Sequence, residues 1–149
     1  MALLLISGAM MFNAPKQSEI FEVRFPSGAK LQAEVADTPE YRYIGLAFRP
    51  SLPENEGMIL LFEKSGLHQV TTKGMQFYVD LIWVNESKHI VHLKEGAEPC
   101  IEKEKMKNNL CPWYGPPPEN ALYVLEANSG FIQKSEVEVG EQLVFALRM

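Results

Sequence analysis

Lys73 and Asp80 are the two charged residues in the stretch 71–85, TTKGMQFYVDLIWVN, the most apolar part of the chain. A cation and an anion in such a setting can hold an anionic ligand, move a proton, or pair. Leaving either buried and unpaired is too costly to expect. They are seven residues apart, so on one unbroken strand they point to opposite faces. A helix would bring them together, but Gly74, Val79 and the β-branched neighbours oppose one. A break at 74–78 frees both from strand parity. Arg42 and Arg49, near a short helix, and Glu126, inside a strand, are the charges that can then join them. The cluster Arg42, Arg49, Lys73, Asp80 and Glu126 has three readings: an ion-pair network that orders loops, a pocket for a ligand, or a catalytic centre. Structural networks imitate functional sites in this way.

The remaining reactive residues say less. Cys100 and Cys111 lie eleven apart in a proline-rich segment, a spacing that fits neither a redox motif nor a zinc knuckle. In an exported protein they form a disulfide; in the cytosol they are free thiols. His89 and His92 have opposite parity on one strand, His68 stands apart, and no zinc spacing occurs, so no metal site is expected. No glycine-rich phosphate loop, nucleophile elbow or mechanistic carboxylate pair is present, and no cofactor is expected. Trp113-Tyr114, beside Gly115 and three prolines, is either an aromatic platform for a ligand or the packing that fixes its loop.

The 149 residues suit one domain with a sizeable core. A net charge of -5 without a basic cluster argues against nucleic acid. The first fourteen residues, MALLLISGAMMFNA, are apolar and uncharged. They are too short to span a bilayer as a helix and resemble the apolar part of a secretory signal, without its basic start. The expected organisation is therefore a signal-like or tether segment over 1–17 and one domain over 18–149. It places the protein in an exported, periplasmic or extracellular setting, with any membrane contact through the N-terminus; cytoplasmic placement is the alternative.

These residues are carried by many short strands. Alternation predicts a hairpin from 20–25 and 31–35 around Pro26-Ser27-Gly28. Asp37-Thr38-Pro39-Glu40 predicts a short helix capped by Thr38. Strands follow at 57–62, 69–73, 79–84, 89–93, 122–126 and 142–147. The run 79–84 is apolar at nearly every position and should be covered on both faces. Residues 94–120 show no period, and a loop of this length tends to be functional or stapled. The fold class is mainly β, a compact β-sandwich or partly open β-barrel with one short helix.

The order of motifs resembles the domain of unknown function 192 family, also called uncharacterised protein family 0127. Its A-D-T-P-E-x-R-x-x-G-L-M-x-R segment appears as Ala36-Asp37-Thr38-Pro39-Glu40-Tyr41-Arg42-Tyr43-Ile44-Gly45-Leu46-Ala47-Phe48-Arg49, with Ala47 for Met. S-L-P-x-x-x-G-M follows at Ser51 to Met58. In the centre Lys73, Gly74, Met75 and Asp80 match, while Val70, Thr71 and Thr72 replace F-W-M and Tyr78 replaces Pro. The close is Tyr123-Val124-Leu125-Glu126, Gly130 and Val139-Gly140. The resemblance covers about Phe21 to Phe145. It implies a compact β-rich domain, often behind a signal or anchor, and a P-C…C-P pair at Pro99-Cys100 and Cys111-Pro112. It marks Arg42, Arg49, Lys73, Asp80 and Glu126 as matched charged positions and supplies no activity. The leading functional expectation is a non-enzymatic domain that binds a small or extended ligand, or a protein partner, at this cluster. The alternatives are a hydrolase or lyase with Asp80 or Glu126 as base and Lys73 or Arg42 holding an anion, and a purely structural interaction domain.

Overall fold

The computed structural model describes residues 19–147, and the signal-like segment expected over 1–17 lies outside the described residues. The first hairpin forms where alternation places it. Strand β1 (Ile20–Arg24) pairs antiparallel with β2 (Lys30–Ala36), Val23 opposite Leu31. Helix α1 (Pro39–Ile44) begins with the Thr38 hydroxyl accepting the Tyr41 amide at 3.1 Å, which satisfies one of its orphan donors. It stops at Gly45, whose φ of 51° and ψ of -128° favour glycine.

After this crossover β3 (Glu56–Gly66) runs parallel to β2 and is longer than expected. The second expected strand shrinks to β4 (Val70–Thr71), because the chain turns at Thr72 to Met75. Strand β5 (Val79–Val84) is buried at all six positions, as its unbroken apolar run predicts. Strand β6 (Ile90–Ala97) extends into the aperiodic segment. The rest of that segment carries α2 (Lys103–Lys107) and β7 (Trp113–Tyr114), which pairs with β4. Strand β8 (Ala121–Asn128) and the single turn α3 (Phe131–Lys134) follow. The described residues thus hold three helices where one was expected. The two additions are four and five residues long, too short to show a helical period.

The main sheet has the order β1-β2-β3-β8-β5-β6. Residues 142–147, expected as a strand, make only two isolated bridges, Gln142 with His89 and Val144 with Arg24. The reason is that this segment serves both edges of the sheet and completes a ladder with neither. Two residues of extended chain span roughly 7 Å, so bridging both edges requires the sheet to curl. The described residues are mainly β and form no closed barrel.

Strand parity divides the core. One face buries Val23, Leu31, Ile59, Ile82, Leu125, Phe131 and Leu143. The other buries Leu60, Leu81, Trp83 and Val124 beneath Leu46, Val70 and Met75. That second face, roofed by α1 and the β4–β7 ribbon, carries the site described next.

Candidate functional site

The break expected after Lys73 is present. Gly74 has a φ of 77°, and the Met75 amide closes a turn on the Thr72 carbonyl at 3.0 Å. A Cβ at Gly74 would lie 3.1 Å from Ala47 and from the Phe48 ring, so only glycine fits this turn easily. Yet Lys73 and Asp80 are not partners. Lys73 Nζ reaches the Tyr43 hydroxyl at 3.0 Å. Asp80 is fully buried: Oδ1 accepts the Gly96 amide at 2.9 Å, and Oδ2 accepts the Gly130 and Ile132 amides at 3.1 and 2.9 Å. The register of β5 against β6 shifts beside it. Its carboxylate thus joins the end of β6 to the start of α3 through three charge-assisted hydrogen bonds.

Register also separates the two acids. Asp80 lies opposite Ala127 and Glu126 opposite Leu81. Adjacent positions on paired strands alternate in face, so Asp80 joins the Ile82 side and Glu126 the Leu81 side. Of the five expected charges, Arg42, Arg49, Lys73 and Glu126 gather on or around the roofed face. Asp80 faces the other way.

Glu126 is 2% exposed and forms part of a cavity of about 240 Å³ between α1, β3 and the β4–β7 ribbon. Its Oε2 has no hydrogen-bond partner among the described residues. Burial pushes its pKa up to about 8, and Arg49 pulls it back only in part. At neutral pH the carboxyl is therefore protonated, able to donate one hydrogen bond and accept others. This suits a group that receives a ligand or gives up a proton better than a resting base. Gly45 is the helix end that makes room, since a Cβ there would sit 3.4 Å from Glu126 Oε1.

Arg42 is fixed on the cavity wall. Its Nη1 donates to the Asp37 and Leu61 carbonyls at 2.9 and 2.8 Å, and its guanidinium lies 5.2 Å over the Phe62 ring. It forms no ion pair among the described residues. Arg49 Nη1 pairs with Glu34 at 2.9 Å, and that bond holds its pKa above the usual value. Tyr43 and Trp113, each 54% exposed, line the cavity with Gln69 and Thr71. His68 stacks behind Phe62 at 3.8 Å. Among the described residues no three His, Cys, Asp or Glu side chains converge on a metal-sized site.

Trp113 owes its place to long-range ties. Cys100 and Cys111 are joined, with Cα atoms 5.8 Å apart. The Thr71 hydroxyl donates to the Pro112 carbonyl at 3.0 Å, and Thr71 pairs with Trp113. The two aromatics of the loop part company: Trp113 lines the cavity, while Tyr114 packs on the core and its hydroxyl accepts the Glu98 amide at 3.1 Å. Sequence reasoning did not single out Tyr43, Phe62 and Gln69, and it named Thr71 as a departure from the family's F-W-M. Parity with Leu60 would have found Phe62, and the position after Arg42 would have suggested Tyr43.

The family model of DUF192, described as "Uncharacterized ACR", matches residues 22–145. The chain belongs to the DUF192 family. No curated protein matches this DUF192 chain. Among solved structures it is similar to a Sinorhizobium meliloti 1021 protein provisionally described as a transcription regulator. The TM-score is 0.76 at 24% identity, over 89% of this chain and 98% of that one. It is also similar to a protein of unknown function from Novosphingobium aromaticivorans DSM 12444, with a TM-score of 0.73 at 23% identity over 96% and 91% of the two chains. Likeness at this identity shows the fold of the DUF192 domain alone. No helix among its described residues is long and apolar enough to cross a membrane.

Proposed function

We propose that this DUF192 domain binds a small molecule in the cavity between α1 and the β4–β7 ribbon, with Glu126 as the group that receives it. One observation carries the reading: a carboxyl oxygen, buried and without a partner, lies at a concave and mainly apolar site. Buried polar groups are almost always paired, and leaving one unpaired costs about 1–3 kcal/mol. A ligand atom that bonds Oε2 removes that cost on binding. An apolar pocket with a few convergent polar groups and a carboxyl of perturbed pKa is the usual form of a small-molecule site.

The setting we infer is extracytoplasmic. The Cys100–Cys111 bridge belongs to oxidising compartments, and the apolar, uncharged start of the sequence favours a leader or tether. The acidic balance of the chain favours a small molecule over nucleic acid, so the regulator description of the Sinorhizobium protein is not carried over.

The test is an unbiased small-molecule screen by thermal shift on the oxidised protein, repeated on Trp113→Ala. Trp113 is half-exposed, so its removal should leave the fold intact. Compounds that raise Tm of the wild type and fail on the variant support the site. Stabilisers that raise Tm equally in the Trp113→Ala variant would place binding elsewhere.

A further inference from the structure

We infer that the ligand of this cavity is a small organic carboxylate, its charge held by Arg42 and the Glu126 carboxyl and its apolar body laid against Trp113 and Tyr43. The inference rests on the binding role proposed above and adds the chemical class.

The charge balance around the cavity carries it. The chain as a whole is acidic, at -5, yet the cation on the cavity wall is not neutralised by an ion pair among the described residues. Among the described residues Arg42 lines it without an ion pair; Lys73, also without one, does not line it, and its ammonium stands at the hydroxyl of the lining residue Tyr43. Arg49, from the chain after α1, is balanced by Glu34. Among the described residues Glu126 is the one acid that lines the cavity, and as a neutral carboxyl it balances no charge. An uncompensated guanidinium on the wall beside a buried hydrogen-bond donor, with a second unpaired cation standing at Tyr43, makes a site for an anion.

Geometry narrows the anion further. Arg42 is a planar guanidinium whose orientation is set by two carbonyls and the Phe62 face, so it can present its remaining N–H groups to a planar acceptor. A carboxyl that keeps its proton can share it with a second carboxylate in a short, charge-assisted bond. The rest of the wall is mainly apolar: Pro39, Gly45, Leu60, Phe62, Val70, Met75 and two half-exposed aromatics, with Gln69 and Thr71 as its polar members. That surface suits an apolar or aromatic body rather than a compact, highly hydrated ion such as phosphate. A cavity of about 240 Å³ lies below the usual range for drug-sized ligands, which favours a body of about one ring.

The charged and titratable groups around Glu126 are Arg42, Tyr41 and Tyr43 on α1, Arg49 with its partner Glu34, and His68 behind Phe62, with Lys73 standing at Tyr43. Of these Glu126 is the one whose proton is required. Once it ionises, a second negative charge would repel the ligand. Affinity for a carboxylate should therefore fall as pH rises through about 8.

The experiment uses three probes that share one ring, benzoate, benzamide and benzylamine, each titrated into the oxidised, nitrogen-15-labelled full chain. Amide signals of Gln69 to Thr71 and the Trp113 indole report binding at the site. Benzoate should bind at least about tenfold tighter than benzamide, and benzylamine should leave these signals unmoved. Benzoate affinity should weaken about tenfold between pH 7 and pH 9, and Glu126→Gln should abolish that pH dependence while retaining binding. Lys73→Met, at a partly exposed side chain, should weaken benzoate and leave benzamide unchanged. If benzamide or benzylamine binds as well as benzoate at these signals, the carboxylate class is overturned while the cavity remains a binding site. If none of the three moves them, the carboxylate class also fails, and the thermal-shift screen decides separately whether the cavity binds anything.

Discussion

Glu126→Gln should make the protein more stable at pH 8 and about equally stable at pH 5. Gln matches the neutral carboxyl in shape and in its ability to donate and accept, but it cannot ionise. In the folded protein burial holds the Glu126 pKa at about 8, against an ordinary 4.5. Between those values the unfolded chain has released a proton that the folded chain keeps, so the folded state binds more protons and its stability must fall as pH rises. The stability is intact below the unfolded pKa and is lost progressively up to the folded one. Each unit of separation is about 1.4 kcal/mol, and integration from pH 5 to pH 8 gives a loss of about 3–4 kcal/mol. Other titrating groups contribute equally to wild type and variant, so the difference isolates this carboxyl. Urea unfolding of both proteins at half-unit pH steps measures it. The advantage of the Gln variant should grow by about 3–4 kcal/mol across the range. A difference that stays within about 0.5 kcal/mol, the scale of ordinary surface changes, would mean that Glu126 ionises normally and that its burial has been misread.

Asp80→Asn turns one carboxylate oxygen into an amide that must face at least one backbone N–H, so it should destabilise by about 2–4 kcal/mol in urea. Lys73→Met, removing a partly exposed ammonium that bonds Tyr43 among the described residues, should cost under about 1 kcal/mol; equal losses for the two would show that they share a network. Cys100→Ser with Cys111→Ser reopens an eleven-residue separation and should cost about 3 kcal/mol, with a change in Trp113 fluorescence; unchanged fluorescence would show that the bridge does not place Trp113. Gly45→Ala forces a side chain into a backbone region nearly reserved for glycine and toward Glu126 Oε1, and should cost about 1–3 kcal/mol in thermal unfolding.

Local signals carried most of the fold. The hairpin of β1 and β2, the Thr38 cap and the doubly covered β5 were legible because alternation, capping chemistry and an unbroken apolar run act within a few residues. The C-terminal residues defeated the same method: the alternation around Val144 is real, but its partners are two sheet edges distant in sequence. The site was half legible. Arg42 and Glu126 could be nominated by type and position, and their meeting across the β3–β8 pairing could not. Asp80 shows the limit most sharply. Its burial could be inferred from the run that it opens, and its partners were expected to be cations. They are three backbone amides, which leave no trace in residue type. Trp113 is tied to the cavity by the Cys100–Cys111 bridge and the Thr71 pairing among others, contacts that depend on the folded chain.

The central claim is that a small molecule completes the hydrogen bonding of Glu126 in the cavity beneath α1. A crystallographic fragment screen of the oxidised protein near pH 6.5, where the carboxyl is protonated, tests it most directly. The account predicts fragments seated between Trp113 and Arg42 with a polar atom within hydrogen-bond distance of Glu126 Oε2, carboxylates most often among them. A screen that fills other surfaces of the domain and leaves this cavity without a single fragment would contradict it.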